Sequence, residues 1–317
     1  MHVLITGGLG FLGLHVAKEL TRQGCDIFLY DRTRIRSQMS GSQLLESRFD
    51  SENIKVVEGD ITDSTEFSDA IRRNHIEVVV HLATLLTEEC ANNPVEAARV
   101  NCMGSMIVFD ACKNGGVRRV IYGSSVAAYG VSPELPTGDD RQLNPPTVYG
   151  ASKAFVEYAA RAMMKSDPAL DLLGLRFGWI YGEGRKRGWN DLQQVIEGFA
   201  LDSSLISYPD YDESNDWTYI DDAANAVVMC VFANKASVPV YNVSGDYRSV
   251  QEAVSYLQKK FPNTSTQPYC AKLSPNAWNF TSDRIVNEVG FEAKIKLEKG
   301  LDLTVNAIRK EHGLPPI

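Results

Sequence analysis

Tyr149 and Lys153 are spaced so that their side chains share one face of a predicted helix. The segment Tyr149-Gly150-Ala151-Ser152-Lys153 places a phenol and an ammonium group about one helical turn apart. The pKa of a free tyrosine is about 10, so its phenol is a poor base near neutral pH, and a neighbouring cation lowers that pKa. The pair therefore predicts acid–base chemistry on an alcohol or a ketone, with Tyr149 taking or giving the proton.

A glycine-rich segment, Thr6–Gly13, lies between the first predicted strand and the first predicted helix. Gly7 permits a tight turn, Gly10 lets the backbone approach a ligand, and Gly13 lets the helix pack closely on the strand. A pyrophosphate would then meet the positive end of the helix. This context predicts a dinucleotide-binding site.

Asp31 ends the second predicted strand, where its carboxylate can accept hydrogen bonds from both ribose hydroxyls of NAD and repel a 2′-phosphate. NAD is therefore the predicted cofactor. NADP stays possible, because Arg32, Arg34 and Arg36 follow directly and any of them can neutralise a phosphate. A solvated basic loop is the alternative for these three residues.

Three motifs resemble extended short-chain dehydrogenases, the group that includes nucleotide-sugar epimerases and dehydratases. They are Gly7-x-x-Gly10-x-x-Gly13, Gly59-Asp60-Ile61 and His81-Leu82-Ala83-Thr84. The similarity runs from residue 1 to about residue 245 and then weakly through Gly290-Phe291 to the terminal helix. It implies NAD-dependent hydride transfer and a homodimer that pairs two helices across a two-fold axis.

The resemblance also assigns site residues. Ser125, at the end of the fifth predicted strand, would hydrogen-bond the substrate oxygen beside Tyr149 and Lys153. The implied cofactor contacts are Gly7, Gly10, Phe11, Leu12, Asp31, Arg32, Asp60, Ile61, Leu82, Ala83, Thr84, Tyr149 and Lys153. The candidate substrate contacts are Thr84, Ser125, Trp179 and Arg185. His75, His81 and Asn101 are expected to be structural.

This chain departs from the sugar-nucleotide enzymes that it resembles at several positions, and two of these lie at expected contacts with the diphosphate. Trp179 stands where those enzymes carry an asparagine near the diphosphate, and Asn215 stands where they carry an arginine that pairs with it. All four tryptophans follow residue 178, which favours a less polar pocket or stacking on a ring. The run Arg185-Lys186-Arg187 can capture a carboxylate or a phosphate, or form a solvated loop.

The elements that must position these residues follow an alternating strand–helix order, which predicts an α/β doubly wound parallel sheet, a Rossmann fold. The predicted strands are Val3–Thr6, Asp26–Tyr30, Ile54–Val57, Val78–Leu82, Val120–Gly123 and Leu172–Phe177. The predicted helices are Leu12–Gln23, Thr65–Asn74, Val95–Asn114 and Tyr149–Lys165. We expect residues 1–177 and 216–244 to form the dinucleotide-binding domain, and residues 178–215 and 245–317 to form a smaller, interleaved C-terminal substrate cap.

Composition narrows the class of protein. A net charge of −8 and a pI near 5.3 argue against nucleic-acid or anionic-membrane partners. No apolar run approaches the roughly 20 residues that span a bilayer. The first strand begins almost at Met1, which leaves no room for a signal peptide, and the six cysteines form no C-x-x-C pair. These features predict a cytoplasmic enzyme with reduced thiols, no metal site and a small-molecule substrate.

Three functions stay open. The first is an NAD(P)-dependent dehydrogenase that acts on a secondary alcohol or ketone of a small sugar-like, hydroxy-acid or cyclic substrate. The second is a nucleotide-sugar or sugar epimerase in which tightly bound NAD is reduced and reoxidised within one turnover. A non-catalytic dinucleotide sensor is disfavoured because Ser125, Tyr149 and Lys153 are all present.

Overall fold

The computed structural model describes residues 1–32, 53–131, 135–188, 191–211, 213–236, 238–272 and 278–317. Its strands are β1 (His2–Thr6), β2 (Asp26–Asp31), β3 (Ile54–Glu58), β4 (Val78–His81), β5 (Arg119–Ser125), β6 (Leu172–Phe177), β7 (Trp179–Tyr181), β8 (Leu205–Tyr211), β9 (Asn215–Tyr219), β10 (Val240–Val243), β11 (Asp246–Arg248) and β12 (Ser265–Ala271). Arg34 and Arg36, named above as possible phosphate ligands, lie outside the described residues.

The helices alternate with these strands through the first half of the chain. They are α1 (Phe11–Arg22), α2 (Ser64–Arg73), α3 (Thr87–Asn92), α4 (Pro94–Ala97), a π-helix (Ala98–Gly104), α5 (Ser105–Asn114), α6 (Val148–Ser166), α7 (Asp191–Ala200), α8 (Ile220–Phe232), α9 (Val250–Lys260), α10 (Asp283–Val289) and α11 (Leu297–Glu311).

A seven-stranded parallel sheet forms the centre of the fold, in the order β10-β6-β5-β4-β1-β2-β3. Helices α1 and α8 pack on one face, and α2, α5 and α6 pack on the other. Strands covered on both faces read as continuous apolar runs, as Val78-Val79-Val80 does with no exposed surface. The prediction of a doubly wound α/β sheet is confirmed. Strand β10 lies in the segment 216–244 that was expected to rejoin this sheet, and it adds a seventh strand to the six named from the first half of the chain.

The helical stretch predicted over Val95–Asn114 is present and contains a π-helix in its first half. The chain is α-helical over Pro94–Ala97, π-helical over Ala98–Gly104 and α-helical again over Ser105–Asn114. The side-chain hydroxyl of Ser105 donates a 2.6 Å hydrogen bond to the carbonyl oxygen of Asn101, which competes with the helical backbone bonds there. A π-turn of this kind often marks a functional position in a helix.

Two smaller sheets lie beyond the large one. Strands β11, β9 and β7 form one, and β12 pairs in parallel with β8 in the other. They enclose an aromatic-rich core with α7, α9 and α11. The proposed domain boundary at residue 216 falls inside β9, while α8 and β10 pack with the large sheet. The division into two domains stays a prediction.

Helix α9 begins with the capping box that its sequence predicts. The capping box predicted at the start of α9 is present, because Ser249 Oγ accepts from the Glu252 amide while the Glu252 carboxylate accepts from the Ser249 amide. In the described part of the chain, no helix is both long and apolar enough to cross a bilayer.

Candidate active site

A cavity of about 1110 Å³ opens at the carboxyl ends of β1, β4 and β5. This is the edge at which doubly wound sheets bind ligands. Most of the predicted site residues line it together: Gly7, Gly10, Phe11, Leu12, Leu82, Ala83, Thr84, Ser125, Tyr149, Lys153, Trp179 and Arg185. The described lining excludes Asp31, Arg32, Asp60 and Ile61, which lie at or just beyond the ends of β2 and β3.

The glycine loop begins this cavity. Gly7 has φ of +65°, and a Cβ atom there would lie 2.9 Å from the backbone of Ala83. A Cβ at Gly13 would lie 2.6 Å from the carbonyl oxygen of Gly7. Gly10 is the N-cap of α1, whose first turn carries no acidic residue. The free amide groups of that turn and the helix dipole fit an anion such as a pyrophosphate.

Asp31 is fixed beside this loop. Its carboxylate accepts hydrogen bonds from the backbone amides of Leu9 (3.1 Å) and Arg32 (2.8 Å). The Arg32 guanidinium lies 3.7 Å from the Asp60 carboxylate, so an acidic partner already balances it. This pairing weakens Arg32 as a phosphate ligand and favours NAD over NADP.

Tyr149 and Lys153 lie in the first turns of α6, which begins after Thr147. The Thr147 hydroxyl caps the helix by accepting a 3.0 Å hydrogen bond from the Gly150 amide. The ammonium nitrogen of Lys153 lies 5.5 Å from the centre of the Tyr149 ring and donates a 2.8 Å hydrogen bond to the Gly123 carbonyl. Burial lowers the pKa of Lys153 to about 8.

The electrostatics at Tyr149 differ from the expectation. Burial raises the pKa of Tyr149 to about 12, opposed by a hydrogen bond with Ser125 and by the charge of Arg185. The prediction that Lys153 lowers this pKa was therefore wrong for this arrangement. The reason is geometric, because the Lys153 ammonium is directed to the Gly123 carbonyl. The two groups that lower the pKa of Tyr149 are instead Ser125 on β5 and Arg185 in the loop after β7.

A buried network holds the elements that carry these groups. The Glu157 carboxylate accepts hydrogen bonds from Ser124 Oγ (2.5 Å) and from Arg176 Nε (2.8 Å) and Nη2 (2.6 Å). Glu157 and Arg176 have no exposed side-chain surface. Glu157 is one turn beyond Lys153 on α6, Ser124 precedes Ser125 on β5, and Arg176 lies on β6. This network was not predicted from the sequence, although Glu157, an acidic residue on the same helical face as Lys153, is a usable signal.

Asn101 also does more than pack its helix. Its side-chain oxygen accepts a 2.8 Å hydrogen bond from the Leu85 amide, and its nitrogen donates to Ser152 Oγ at 3.1 Å. The π-helix thus directs Asn101 onto the residue before Lys153. His81, by contrast, is a core residue, hydrogen-bonded to Thr6 and Ser105. Burial lowers the pKa of His81 to about 3, so it is neutral at physiological pH.

Arg185 brings a second cation to the cavity near Tyr149. Its guanidinium lies 5.7 Å from the centre of the Phe11 ring and donates to the Ile180 carbonyl. Burial lowers the pKa of Arg185 to about 10, which leaves it charged near neutral pH. Lys186 and Arg187 line the same cavity with exposed side chains, and Arg187 pairs with Glu89.

The far wall of the cavity is aromatic. The ring of Trp179 lies 4.6 Å from that of Trp217 and 4.8 Å from that of Trp278. Asn215, two residues before Trp217, is fully buried, and neither polar atom of its side chain has a hydrogen-bond partner. Within the described residues, no group of His, Cys, Asp and Glu side chains could hold a metal ion.

Comparisons with known proteins agree with this geometry. The sequence model of the NAD dependent epimerase/dehydratase family matches residues 3–244. A UDP-glucose 4-epimerase of Neisseria gonorrhoeae is 32% identical over 80% of this chain and 81% of its own length. One from Haemophilus influenzae is 26% identical over 96% of this chain and 97% of its own length.

A solved structure shows the same fold. The UDP-glucose 4-epimerase of Bifidobacterium longum, in complex with NAD+ and UDP, superimposes with a TM-score of 0.85 at 22% identity. The match covers 99% of each chain.

Proposed function

This chain belongs to the NAD dependent epimerase/dehydratase family, and from that premise we propose that it binds NAD and epimerises a sugar-like substrate at a secondary alcohol carbon. The observation that carries the proposal is the meeting of Ser125, Tyr149 and Lys153 on one wall of the cavity that starts at the glycine loop. The curated relatives described above, all named UDP-glucose 4-epimerases, support epimerisation.

The cofactor site is proposed from the residues that surround the glycine loop and the strand ends. When bound there, NAD would supply reversible hydride transfer at the carbinol carbon, and inversion would require the return of hydride to the opposite face of the ketone. The amides at the N-terminus of α1 fit its pyrophosphate, Asp31 fits the adenosine ribose, and Lys153 fits the nicotinamide ribose. Asp60 and Ile61 are proposed to border the adenine, and Leu82, Ala83 and Thr84 the inner cleft.

Tyr149 is proposed to move the proton. Because its pKa is raised to about 12, the phenol is protonated near neutral pH and is ready to donate a proton to a ketone oxygen. In the opposite direction Tyr149 starts as the phenolate, which the hydrogen bond from Ser125 and the charge of Arg185 stabilise, and it takes the proton from the alcohol. Ser125, hydrogen-bonded to Tyr149, holds the substrate oxygen next to the phenol.

Arg185, Thr84 and Trp179 are proposed substrate contacts, since all three line the cavity that Tyr149 borders. We keep the proposal that residues 178–215 and 245–317 form the part of the chain that selects the substrate. In this arrangement the large sheet supplies the cofactor site and proton transfer, and the smaller part supplies substrate selection.

Net dehydrogenation is a second candidate, favoured by a specific observation. Trp179 and Asn215 occupy the positions at which the resemblance implies diphosphate contacts, so a small substrate without a nucleotide could be oxidised and released. The two candidates differ in the fate of the cofactor.

The experiment follows nicotinamide absorbance and substrate stereochemistry together. An epimerase converts substrate to its epimer and accumulates no free NADH, whereas a dehydrogenase accumulates NADH in step with ketone. Stoichiometric NADH release with no epimer would reject the epimerase and leave the dehydrogenase. The Tyr149→Phe variant is the control, since it should remove either activity.

A further inference from the structure

The loop after β7 runs along the wall of the cavity. Residues 183–188, here called the strap, all belong to its described lining. Gly182, directly before the strap, and Gly184 and Gly188, within it, have φ of +136°, +89° and +82°. Glycine adopts such angles at little steric cost. The backbone of the strap therefore turns at these positions, and contacts with other elements decide where its side chains lie.

Arg185 is the residue of the strap that acts on the proposed proton carrier. It lines the same cavity as Tyr149, and its charge interacts with the phenol. The guanidinium lies 5.7 Å from the centre of the Phe11 ring and donates to the Ile180 carbonyl. Electrostatic energy falls with distance, so the effect of this charge on Tyr149 depends on where the strap holds it.

His15 holds the start of the strap. It lies on α1, one turn after Phe11, and its two ring nitrogens face acceptors on different elements. Nδ1 lies 3.0 Å from a carboxylate oxygen of Asp221 in the first turn of α8, and Nε2 lies 3.2 Å from the carbonyl oxygen of Glu183. A ring protonated on both nitrogens donates to both acceptors. His15 therefore joins α1, α8 and the strap.

The surroundings of His15 support this bridge. The hydrogen bond from His15 holds the pKa of the Asp221 carboxyl below its ordinary value, so Asp221 is charged near neutral pH. The His15 ring packs edge-on against Phe11, with ring centres 5.9 Å apart, and Phe11 in turn contacts Arg185. Only 12% of the His15 side chain is exposed. A mostly buried ring with partners on three elements is a fixed support for the strap.

Arg187 attaches the other end of the strap. Its guanidinium pairs with one carboxylate oxygen of Glu89 on α3. The second oxygen of Glu89 accepts a 2.9 Å hydrogen bond from the Leu86 amide, which fixes the carboxylate. A Cβ atom at Gly188 would lie 3.0 Å from the Leu86 side chain, so the strap packs closely on this segment. The strap is thus attached to α1 near its first residue and to α3 near its last.

We propose that His15 is a positioning residue for proton transfer, which anchors the strap so that the Arg185 charge stays beside Tyr149. Without the His15 ring, the strap loses its attachment to α1, and Arg185 can move away from the phenol. The proposal rests on the proposed function in one respect, the role of Tyr149 as proton carrier. The anchoring itself depends only on the contacts of His15 with Glu183 and Asp221.

The first experiment needs no substrate, because trypsin cleaves after Arg185, Lys186 and Arg187 in the strap. Limited digestion of the NAD-loaded full chain, followed by mass spectrometry, measures the rate of cleavage there. His15→Gln should raise this rate about three- to tenfold, as expected for the loss of one hydrogen bond that holds the strap closed. Lys18→Gln is the matched control, because it removes an exposed charge on the same helix that also acts on Asp221.

Three results of the digestion would overturn the anchoring. They are an unchanged rate in His15→Gln, an equal rise in Lys18→Gln, and a rise that is equal at other sites of the chain, since this last result indicates general loosening. Calorimetric titration of NAD shows that each variant is folded and loaded.

The second experiment is a double-mutant cycle on turnover of UDP-glucose, with D-galactose as a sugar without a nucleotide. Formation of epimer and of NADH is followed at saturating NAD. His15→Gln should lower kcat about three- to tenfold in the native background, but less than about twofold in Arg185→Gln, where the anchored charge is absent. In Arg185→Lys, which keeps a positive charge, part of the sensitivity to His15→Gln should remain. Equal fold-losses in the native and Arg185→Gln backgrounds would show that His15 acts independently of Arg185, and the positioning role would fail.

A second variant serves if His15→Gln does not fold. Arg187→Gln releases the other end of the strap and leaves α1 unchanged. It should lower kcat about two- to fivefold, as expected for an exposed ion pair, and this loss should also disappear in Arg185→Gln. A loss that persists in Arg185→Gln would mean that the strap does not act through Arg185.

The outcomes separate this proposal from the proposed function. Normal turnover in Tyr149→Phe, or no turnover of either sugar by the native chain, would reject the role in proton transfer together with the function tested, while the digestion still decides the anchoring. Full turnover that depends on Tyr149 but not on His15 would reject the positioning role alone.

Discussion

The ammonium of Lys153 donates its 2.8 Å hydrogen bond to the carbonyl oxygen of Gly123, one residue before the strand end that carries Ser124 and Ser125. This contact ties the helix with Tyr149 to the strand with Ser125 by a bond independent of any ligand. A charge-assisted bond of this kind is short and strong. Lys153 therefore fixes the position of α6 relative to β5 and also places a positive charge in the site.

Replacing Tyr149 with phenylalanine removes the proposed proton carrier and leaves the ring in place. We expect turnover to fall at least ~100-fold, the usual contribution of one general acid or base, with NAD affinity nearly unchanged. Steady-state kinetics and calorimetric titration of NAD measure the two quantities. Tyr269→Phe, exposed on β12 and outside the described lining of the cavity, is the control. Near-normal turnover in Tyr149→Phe would remove Tyr149 from the mechanism.

The dependence of kcat/KM on pH should reflect the titration of Lys153. Because burial lowers its pKa to about 8, the ammonium is present below that pH and is lost as the pH rises through it. We expect kcat/KM to decline above pH about 8. In Lys153→Arg, the guanidinium keeps its proton, so the alkaline decline should move upward by a pH unit or more even if overall activity drops. An unchanged alkaline limb in that variant would assign the titration to another group.

Removing Glu157 should damage the buried network. In Glu157→Ala, the Arg176 charge loses its partner in the core, a change that typically costs about 3–5 kcal/mol in the free energy of unfolding. Urea denaturation measures the free energy of unfolding of the native chain and of the variant. The exposed pair of Arg72 and Asp69 is the control, and Arg72→Ala should change stability by less than about 1 kcal/mol. Similar small losses at both positions would mean that the Glu157 network contributes little to stability.

Asp31 should set the choice of cofactor. NAD is expected to bind more tightly than NADP, because the carboxylate beside the glycine loop repels a 2′-phosphate while Asp60 already partners Arg32. Asp31→Ala should narrow or reverse the preference. Calorimetric titration of both cofactors tests this, and tighter binding of NADP by the native chain would show that the basic residues after Asp31 dominate.

The family resemblance implies a homodimer that pairs the helices over Val95–Asn114 and Tyr149–Lys165 with their copies, and this stays a prediction. Four residues were expected to help the contact: Tyr158 and Ala162 are exposed, whereas Ala111 and Ala154 are buried within one chain. Phe155, beside Ala154, is exposed as well. We expect a dimer by light scattering at micromolar concentration. Phe155→Glu should shift it towards monomer because a carboxylate in an apolar contact is costly. A native monomer would contradict the prediction.

Local signals in the sequence predict much of the fold and one half of the site. Three features depend mainly on residues close together in the sequence: the glycine loop, the strand bounds and the capping box. The structure confirms the capping box, and it confirms the strand bounds to within about two residues. The helix with Tyr149 and Lys153 likewise follows from spacing alone.

Long-range contacts set the other half, and a single sequence contains no direct record of them. The effect of Arg185 on Tyr149 depends on how the loop after β7 folds back over α6. The π-helix has about one more residue per turn than an α-helix. Over a single turn this shifts the spacing of the apolar positions too little to be recognised in the sequence. A buried asparagine side chain is usually hydrogen-bonded, so the sequence does not predict that the Asn215 amide lacks a hydrogen-bond partner. That result depends on how β9 packs.

The place of β10 at the edge of the large sheet affects the order in which the chain can fold. Val240–Val243 pairs with β6, yet β7, α7, β8, β9 and α8 lie between them in the chain. A ribosome must therefore release some 240 residues before the sheet can close. Until then β6 has an unpaired edge, a known template for aggregation. A chain that ends before Val240 therefore leaves the edge of β6 uncovered.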